Sequence, residues 1–153
     1  MGKIESRIQA LGLTIPEPPQ PVAAYVSAKR AGNLVFTAGQ LPMVNGEVTL
    51  KGLLGRDVET EDAKVAARVC TINALAAIKG VIKDLDSIIQ IVRVVGYVAS
   101  VPTFIQQPAV VNGASELLLE IFGETGKHAR SAVGVAVLPL NASVEIELTV
   151  EIE

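Results

Sequence analysis

From Val144 to Ile152 the sequence alternates strictly: Val144, Ile146, Leu148, Val150 and Ile152 fall on one side, and Glu145, Glu147, Thr149 and Glu151 on the other. A period of two is that of a β-strand with one apolar face buried and one polar face turned away from the core. A chain carrying such a strand builds a sheet that needs cover on one face. Two stretches can supply it. Between Thr60 and Ile82, Val65, Val69, Ile72, Leu75, Ala76, Ile78 and Ile82 recur at three- and four-residue steps, which predicts an amphipathic helix. Thr60 is its expected N-cap, with Glu61 and Asp62 complementing the positive end of the dipole. A second helix is predicted from about Pro108 to Phe122, with the proline in its first turn and Gly123 past its end.

The other segments fill in the order. Ile4, Ile8 and Leu11 are spaced for a short amphipathic helix ending at Gly12, and the proline-rich stretch from Pro16 to Pro21 should run extended, because proline lacks an amide donor. Ala23–Lys29 and Asn33–Ala38 flank a short turn and read as an antiparallel hairpin, closed by Gly39-Gln40-Leu41-Pro42. Asn45-Gly46 is a turn dipeptide, with a short strand possible over Glu47–Leu50. Ser87–Ser100, dense in Ile and Val, reads as a central strand, and Ser131–Leu138 as another. The result is a single α/β (α+β) domain over 1–153, ordered β-β-(β)-α-β-α-β-β behind an N-terminal helix and extension through residue 21. Two helices cover one face of a mixed sheet. The other face has no cover from this chain and calls for other subunits.

Composition narrows the function classes. Half of the 153 residues are hydrophobic, yet there are only three Phe, two Tyr and no Trp, and the mean hydropathy is +0.45. Charges, Pro or Gly interrupt every apolar run before the roughly 20 residues a membrane span needs, so the excess points to subunit interfaces rather than a membrane. A net charge of −3 lacks the basic footprint of nucleic-acid binding. One cysteine excludes an internal disulfide, and the N-terminus lacks a secretory apolar run. A reducing cytoplasm is the expected location.

The usual routes to chemistry are few. One His and one Cys cannot supply a typical zinc or iron set, so no metal is expected. Gly52-Leu53-Leu54-Gly55-Arg56 lacks the spacing and the Lys-Ser/Thr end of a phosphate loop. Cys70, inside the first long helix, has no ligand or base spaced to it and reads as a small buried residue. Arg130 stands out. It opens an apolar strand, where a guanidinium is costly unless it meets a carboxylate or phosphate; it is either an anion-binding group or half of a surface or intersubunit ion pair.

The run Ala129-Arg130-Ser131, followed by Leu138-Pro139 and Val144-Glu145-Ile146-Glu147, resembles the C-terminal signature of the reactive imine deaminase family, the YjgF-type or L-PSP endoribonuclease proteins. Further similarity lies in Tyr25-Val26, in Val35-Phe36-Thr37-Ala38-Gly39-Gln40-Leu41-Pro42 and in Val111-Asn112-Gly113 at the opening of the second helix. Together these span about residues 22 to 150 in order. The N-terminal extension and the wording from Val111 to Gly126 look like a less characterised branch.

The resemblance implies a chorismate mutase-like fold, a homotrimer with ligand clefts between subunits, and hydrolysis of short 2-imino acids to 2-keto acids and ammonia, with no cofactor. It implies that Arg130 grips the substrate carboxylate, that Glu145 positions or activates water, that Tyr25 and Asn112 line the cleft, and that backbone amides near Gly39 and Ala132 hold the ligand. Plainer roles stand beside these: Tyr25 packing in the hairpin, Asn112 capping the second helix, Glu145 as one of several exposed carboxylates on its strand. His128, where the characterised branch more often has proline, is either a solvated loop residue or an extra donor near Arg130. Ala38 stands where active members carry a serine, which keeps a second function open, a non-catalytic binder of small carboxylates. A third, endoribonuclease or translation inhibitor, is opposed by the acidity of the chain and its scarcity of aromatics.

Overall fold

The alternating C-terminal stretch forms the middle strand of the sheet. The computed structural model describes residues 1–20 and 23–153. Along it run α1 (Lys3–Ala10), a hairpin of β1 (Ala28–Ala31) and β2 (Leu34–Thr37), a smaller hairpin of β3 (Met43–Val44) and β4 (Glu47–Val48), α2 (Thr60–Ile82), β5 (Ile88–Ala99), α3 (Gln107–Phe122), β6 (Ala129–Val135) and β7 (Val144–Ile152). The main sheet has the order β1-β2-β7-β5-β6. Only β5 and β6 pair in parallel, so the sheet is mixed. Burial along β7 alternates residue by residue: its Val, Ile and Leu side chains pack into the core under α2 and α3, and its Glu and Thr side chains lie on the other face.

The helix boundaries follow their sequence signals, with one change at a cap. Glu59, not Thr60, is the N-cap of α2, and no side chain caps it; Thr60 is already helical. The face that α2 buries includes Ile72, Leu75, Ala76 and Ile78 of the aliphatic stripe read from the sequence and widens it with small residues. Ala63, Ala67, Cys70, Ala74 and Ala77 are buried, while Val65 is 61% exposed. Small residues on the inner arc let the helix come close to its neighbours. At Gly113 of α3 an added Cβ would run into the Lys64 carbonyl of α2, so the two helices cross in backbone contact there.

By length and composition α2 could cross a membrane, with a mean hydropathy of 1.6 over its most apolar window. Here it is a core helix, and its three basic residues are paired: Lys64 with Glu116 at 3.0 Å, Arg68 with Glu120 at 3.1 Å and Lys79 with Glu5 at 2.9 Å. The last pair, together with Asp86 accepting from the Lys3 and Ile4 amides, ties α1 to the helical layer through buried Ile4 and Ile8.

Three strand readings change. β1 begins at Ala28 rather than Ala23, because residues 23–25 bend instead of extending. The Asn45-Gly46 turn, with both residues at positive φ, joins two short strands and not one, since Met43–Val44 pairs with Glu47–Val48. β6 runs from Ala129 to Val135, two residues earlier than expected and stopping three short of Leu138. Residues 13–20 form no helix or strand, as expected for the proline-rich stretch; its last proline, Pro21, lies outside the described residues.

Candidate functional site

Strand register places the candidate residues in two groups. β5 pairs antiparallel with β7, setting Tyr97 opposite Glu145 and Val94 opposite Leu148; on its other side it pairs in parallel with β6, setting Val94 opposite Arg130 and Gly96 opposite Ala132. Paired residues share a sheet face. Val94 and Leu148 are core residues under the helices, so Arg130 and Ala132 project toward the helical layer. Tyr97 and Glu145 occupy the face without helices. Arg130 and Glu145 are therefore two strands and three residues apart on opposite faces, roughly 14 Å between Cα atoms.

Glu145 lines a cleft of about 480 Å³ whose walls also include Pro16, Tyr25, Gly39, Asn73 and Pro139. Gly39 is held beside it by a two-way bridge, Gln40 N donating to the Ile146 carbonyl at 2.8 Å and Ile146 N to the Gln40 carbonyl at 3.0 Å. The approach is close: an added Cβ would stand 2.6 Å from Glu145 Oε1 and would push the carboxyl aside. Asn73 of α2 fixes the next residues by donating to the Leu41 and Met43 carbonyls, each at 3.0 Å. The bend that shortened β1 brings the exposed Tyr25 onto the same wall.

Among the described residues no donor reaches the Glu145 carboxylate. Burial, and then the nearby charge of Glu147, push its pKa up. Glu147, one alternation further on the same face, accepts a 2.5 Å hydrogen bond from the Tyr97 hydroxyl. That bond comes first among the causes that push the Tyr97 pKa up to about 12. Cys70, fully buried and with its thiol pKa raised by burial and by Glu145, packs in the core behind the strand.

Arg130 has a different setting. Its Nη1 donates to Asn112 Oδ1 at 2.7 Å and to Ser115 Oγ at 3.2 Å. Asn112 sits well inside α3, which starts at Gln107, so it neither opens nor caps that helix; its side chain accepts from Arg130. Ser115, one turn later, also lies 2.8 Å from His128 Nε2. The open half of the chemistry thus holds Tyr25, Gly39 and Glu145, and the covered half holds Arg130, Asn112 and Ala132. Sequence reasoning missed Tyr97 and Ser115. The three-residue helical step from Asn112 was the available signal for Ser115; none was available for Tyr97 without the strand register. No group of three or more His, Cys, Asp or Glu among the described residues could hold a metal ion.

Residues 5–152 match the family described as "YjgF/chorismate mutase-like, putative endoribonuclease". The crystal structure of a protein of unknown function, Atu1372 from Agrobacterium tumefaciens, superposes with a TM-score of 0.93 at 47% identity, covering 99% of this chain and 93% of that one. Protein TCP17 of Trypanosoma cruzi is 37% identical over 152 residues, 99% of this chain and 95% of its own. A protein of Dermatophagoides farinae named 2-iminobutanoate/2-iminopropanoate deaminase is 28% identical over 141 residues, covering 92% and 95% of the two chains. With the family match running almost end to end and the mixed sheet under its helices, the chain belongs to the YjgF/chorismate mutase-like family.

Proposed function

We propose that the protein hydrolyses short 2-imino acids to 2-keto acids and ammonia, in clefts that form between copies of the chain in a homotrimer. The observation that carries this reading is the Glu145 carboxyl, half-buried against Gly39, with a raised pKa and no donor from the described residues, in the wall of a cleft. A carboxyl so placed can take a proton from water and hand it on. The division of the site supports the assembly. A three- or four-carbon acid cannot touch Arg130 and Glu145 of one chain when they lie on opposite faces, whereas Arg130 near the sheet edge of a second copy can meet the Glu145 cleft of the first. The helix-free face, which carries Val133 exposed beside Tyr97 and Phe36 exposed beside Thr149, supports the same arrangement, since other subunits would cover it.

In this scheme the Arg130 fork holds the carboxylate and sets the imine carbon beside Glu145. Water attacks that carbon while Glu145 accepts its proton. The proton passes to nitrogen, giving an amino alcohol; Glu145 then takes the hydroxyl proton and returns it to nitrogen, so that the C–N bond breaks and ammonia leaves as the ketone forms. An imine carbon is already electrophilic, so anchoring and water orientation suffice and no cofactor enters. Tyr25 and the Gly39 backbone line the ligand, the amide near Ala132 helps hold it, and Asn112 fixes Arg130.

Ala38 favours a second reading, a binder of small carboxylates without turnover, because the hydroxyl that the resemblance places there is missing. Both are tested by ammonia release from 2-iminopropionate generated in place by an amino acid oxidase, alongside thermal melts with millimolar pyruvate. An enzyme accelerates ammonia release, and Arg130→Ala lowers kcat/KM by about 100-fold. A binder gains melting temperature with pyruvate, loses that gain in Arg130→Ala and shows no turnover. If Arg130→Ala changed neither readout, both readings would fail.

A further inference from the structure

Beside Arg130 lies a connected line of polar groups that the scheme above does not use. Arg130 Nη1 donates to Asn112 and to Ser115 Oγ, Ser115 Oγ lies 2.8 Å from His128 Nε2, and His128 Nδ1 lies 2.7 Å from the Gly126 carbonyl oxygen. The two ends of the line have fixed roles, since a guanidinium only donates and a carbonyl only accepts. Nδ1 must therefore carry the proton that it gives to Gly126. Ser115 accepts from Arg130, which frees its own hydroxyl proton for a bare Nε2 on His128. The line then runs in one direction, from Arg130 through Ser115 and His128 to Gly126, with every donor matched. An imidazolium would make Ser115 accept from both sides and set a second cation beside Arg130.

The line also decides which edge of Arg130 is used. Both Nη1 protons are committed, one to Asn112 and one to Ser115. The Nε–H and Nη2–H edge, whose two parallel donors match the two oxygens of a carboxylate, is left for a ligand. We infer that Ser115 and His128 are positioning residues that lock the Arg130 guanidinium through Nη1, presetting its Nε/Nη2 edge for the carboxylate of an incoming 2-imino acid. This rests on the reading of Arg130 as the carboxylate anchor.

The test combines kinetics with a readout that does not depend on activity. On 2-iminopropionate, Ser115→Ala and His128→Ala each raise KM about tenfold, the scale of one hydrogen bond to a charged group, while kcat stays within about twofold. His128→Gln, whose amide oxygen can accept the Ser115 proton near the Nε2 position, recovers KM to within about threefold of native. In the native protein, 15N spectra of the His128 ring show the proton on Nδ1 and none on Nε2. An unchanged KM in both alanine variants, a fall in kcat that His128→Gln does not rescue, or a proton found on Nε2 would each overturn the inference. Native protein that neither turns over imine nor binds pyruvate would instead remove the function proposed above. The ring spectrum would still decide the line, which stands with an Nδ1–H ring and falls with an Nε2–H one.

Discussion

The two halves of the candidate site are prepared in opposite ways. Arg130 is a cation with part of its donor set already engaged by Asn112 and Ser115 of its own chain. Glu145 is a carboxyl reached by no donor among the described residues, pressed against Gly39 and facing a second carboxylate at Glu147. The first arrangement suits a group that must stay charged and still. The second suits a group that must gain and lose a proton, because burial and like charge bring its two forms closer in energy. An anchor gains from satisfaction and a proton carrier from the lack of it.

Breaking the carrier should have the largest effect. Glu145→Gln keeps shape and burial and removes the base, and kcat should fall about 1,000-fold, within the range for a positioned acid–base group. The same variant should melt slightly higher at neutral pH. The sign follows from the raised folded-state pKa: a carboxyl of that kind contributes stability below its unfolded pKa, and the contribution is lost as pH rises through the folded value. Above its folded-state value the ionised Glu145 is therefore a net cost that the amide removes. A melting temperature that fell together with activity would make Glu145 a structural residue.

Displacing the carrier comes next. Gly39→Ala sets a methyl 2.6 Å from Glu145 Oε1. The carboxyl can swing aside, so the fold should survive while kcat drops about 10- to 100-fold, as expected for a misplacement of about 1 Å. Unchanged turnover would mean that the approach of Gly39 to Glu145 does not matter to the reaction.

The smallest effect is a shift and not a loss. Glu147→Gln removes the like charge, so the Glu145 pKa falls and the acidic limb of the kcat profile moves to lower pH. Burial is the first-ranked cause of the raised pKa and remains, so the limb should stay above the ordinary carboxylate range. A limb that did not move, or that moved to higher pH, would show that Glu147 does not act on Glu145 through its charge.

Much of this was legible before any coordinates. The bounds of β7 and α2 coincide with the stretches read from period two and from helical spacing, because each pattern runs over nine or more residues without a break. Shorter features were decided by contacts far along the chain. Residues 23–25 have strand-like composition, yet they bend where Tyr25 meets the cleft, and Met43–Val44 becomes a strand only because the Asn45-Gly46 turn returns Glu47–Val48 to it. The buried arc of α2 was legible in part: Ile72, Leu75, Ala76 and Ile78 are buried as their spacing suggests, but Val65 faces out and alanines beside the stripe pack inward. At the site, residue types were readable, and so was the side of Glu145, which the alternation along β7 turns away from the core. The side of Arg130 was not, because it depends on its register with Val94. A slip of one residue in that pairing would reverse the side, and no local pattern fixes it.

The most direct test of a shared site is complementation between two inactive variants. Arg130→Ala and Glu145→Gln proteins would be mixed in equal amounts, unfolded and refolded together, and assayed for ammonia release from 2-iminopropionate. If each cleft takes Arg130 from one copy and Glu145 from the next in a closed trimer, random mixing leaves about a quarter of the clefts with both native residues, and about a quarter of native activity should return. Activity no greater than that of the separate variants would contradict the account and place both residues, or neither, in a site built by one chain.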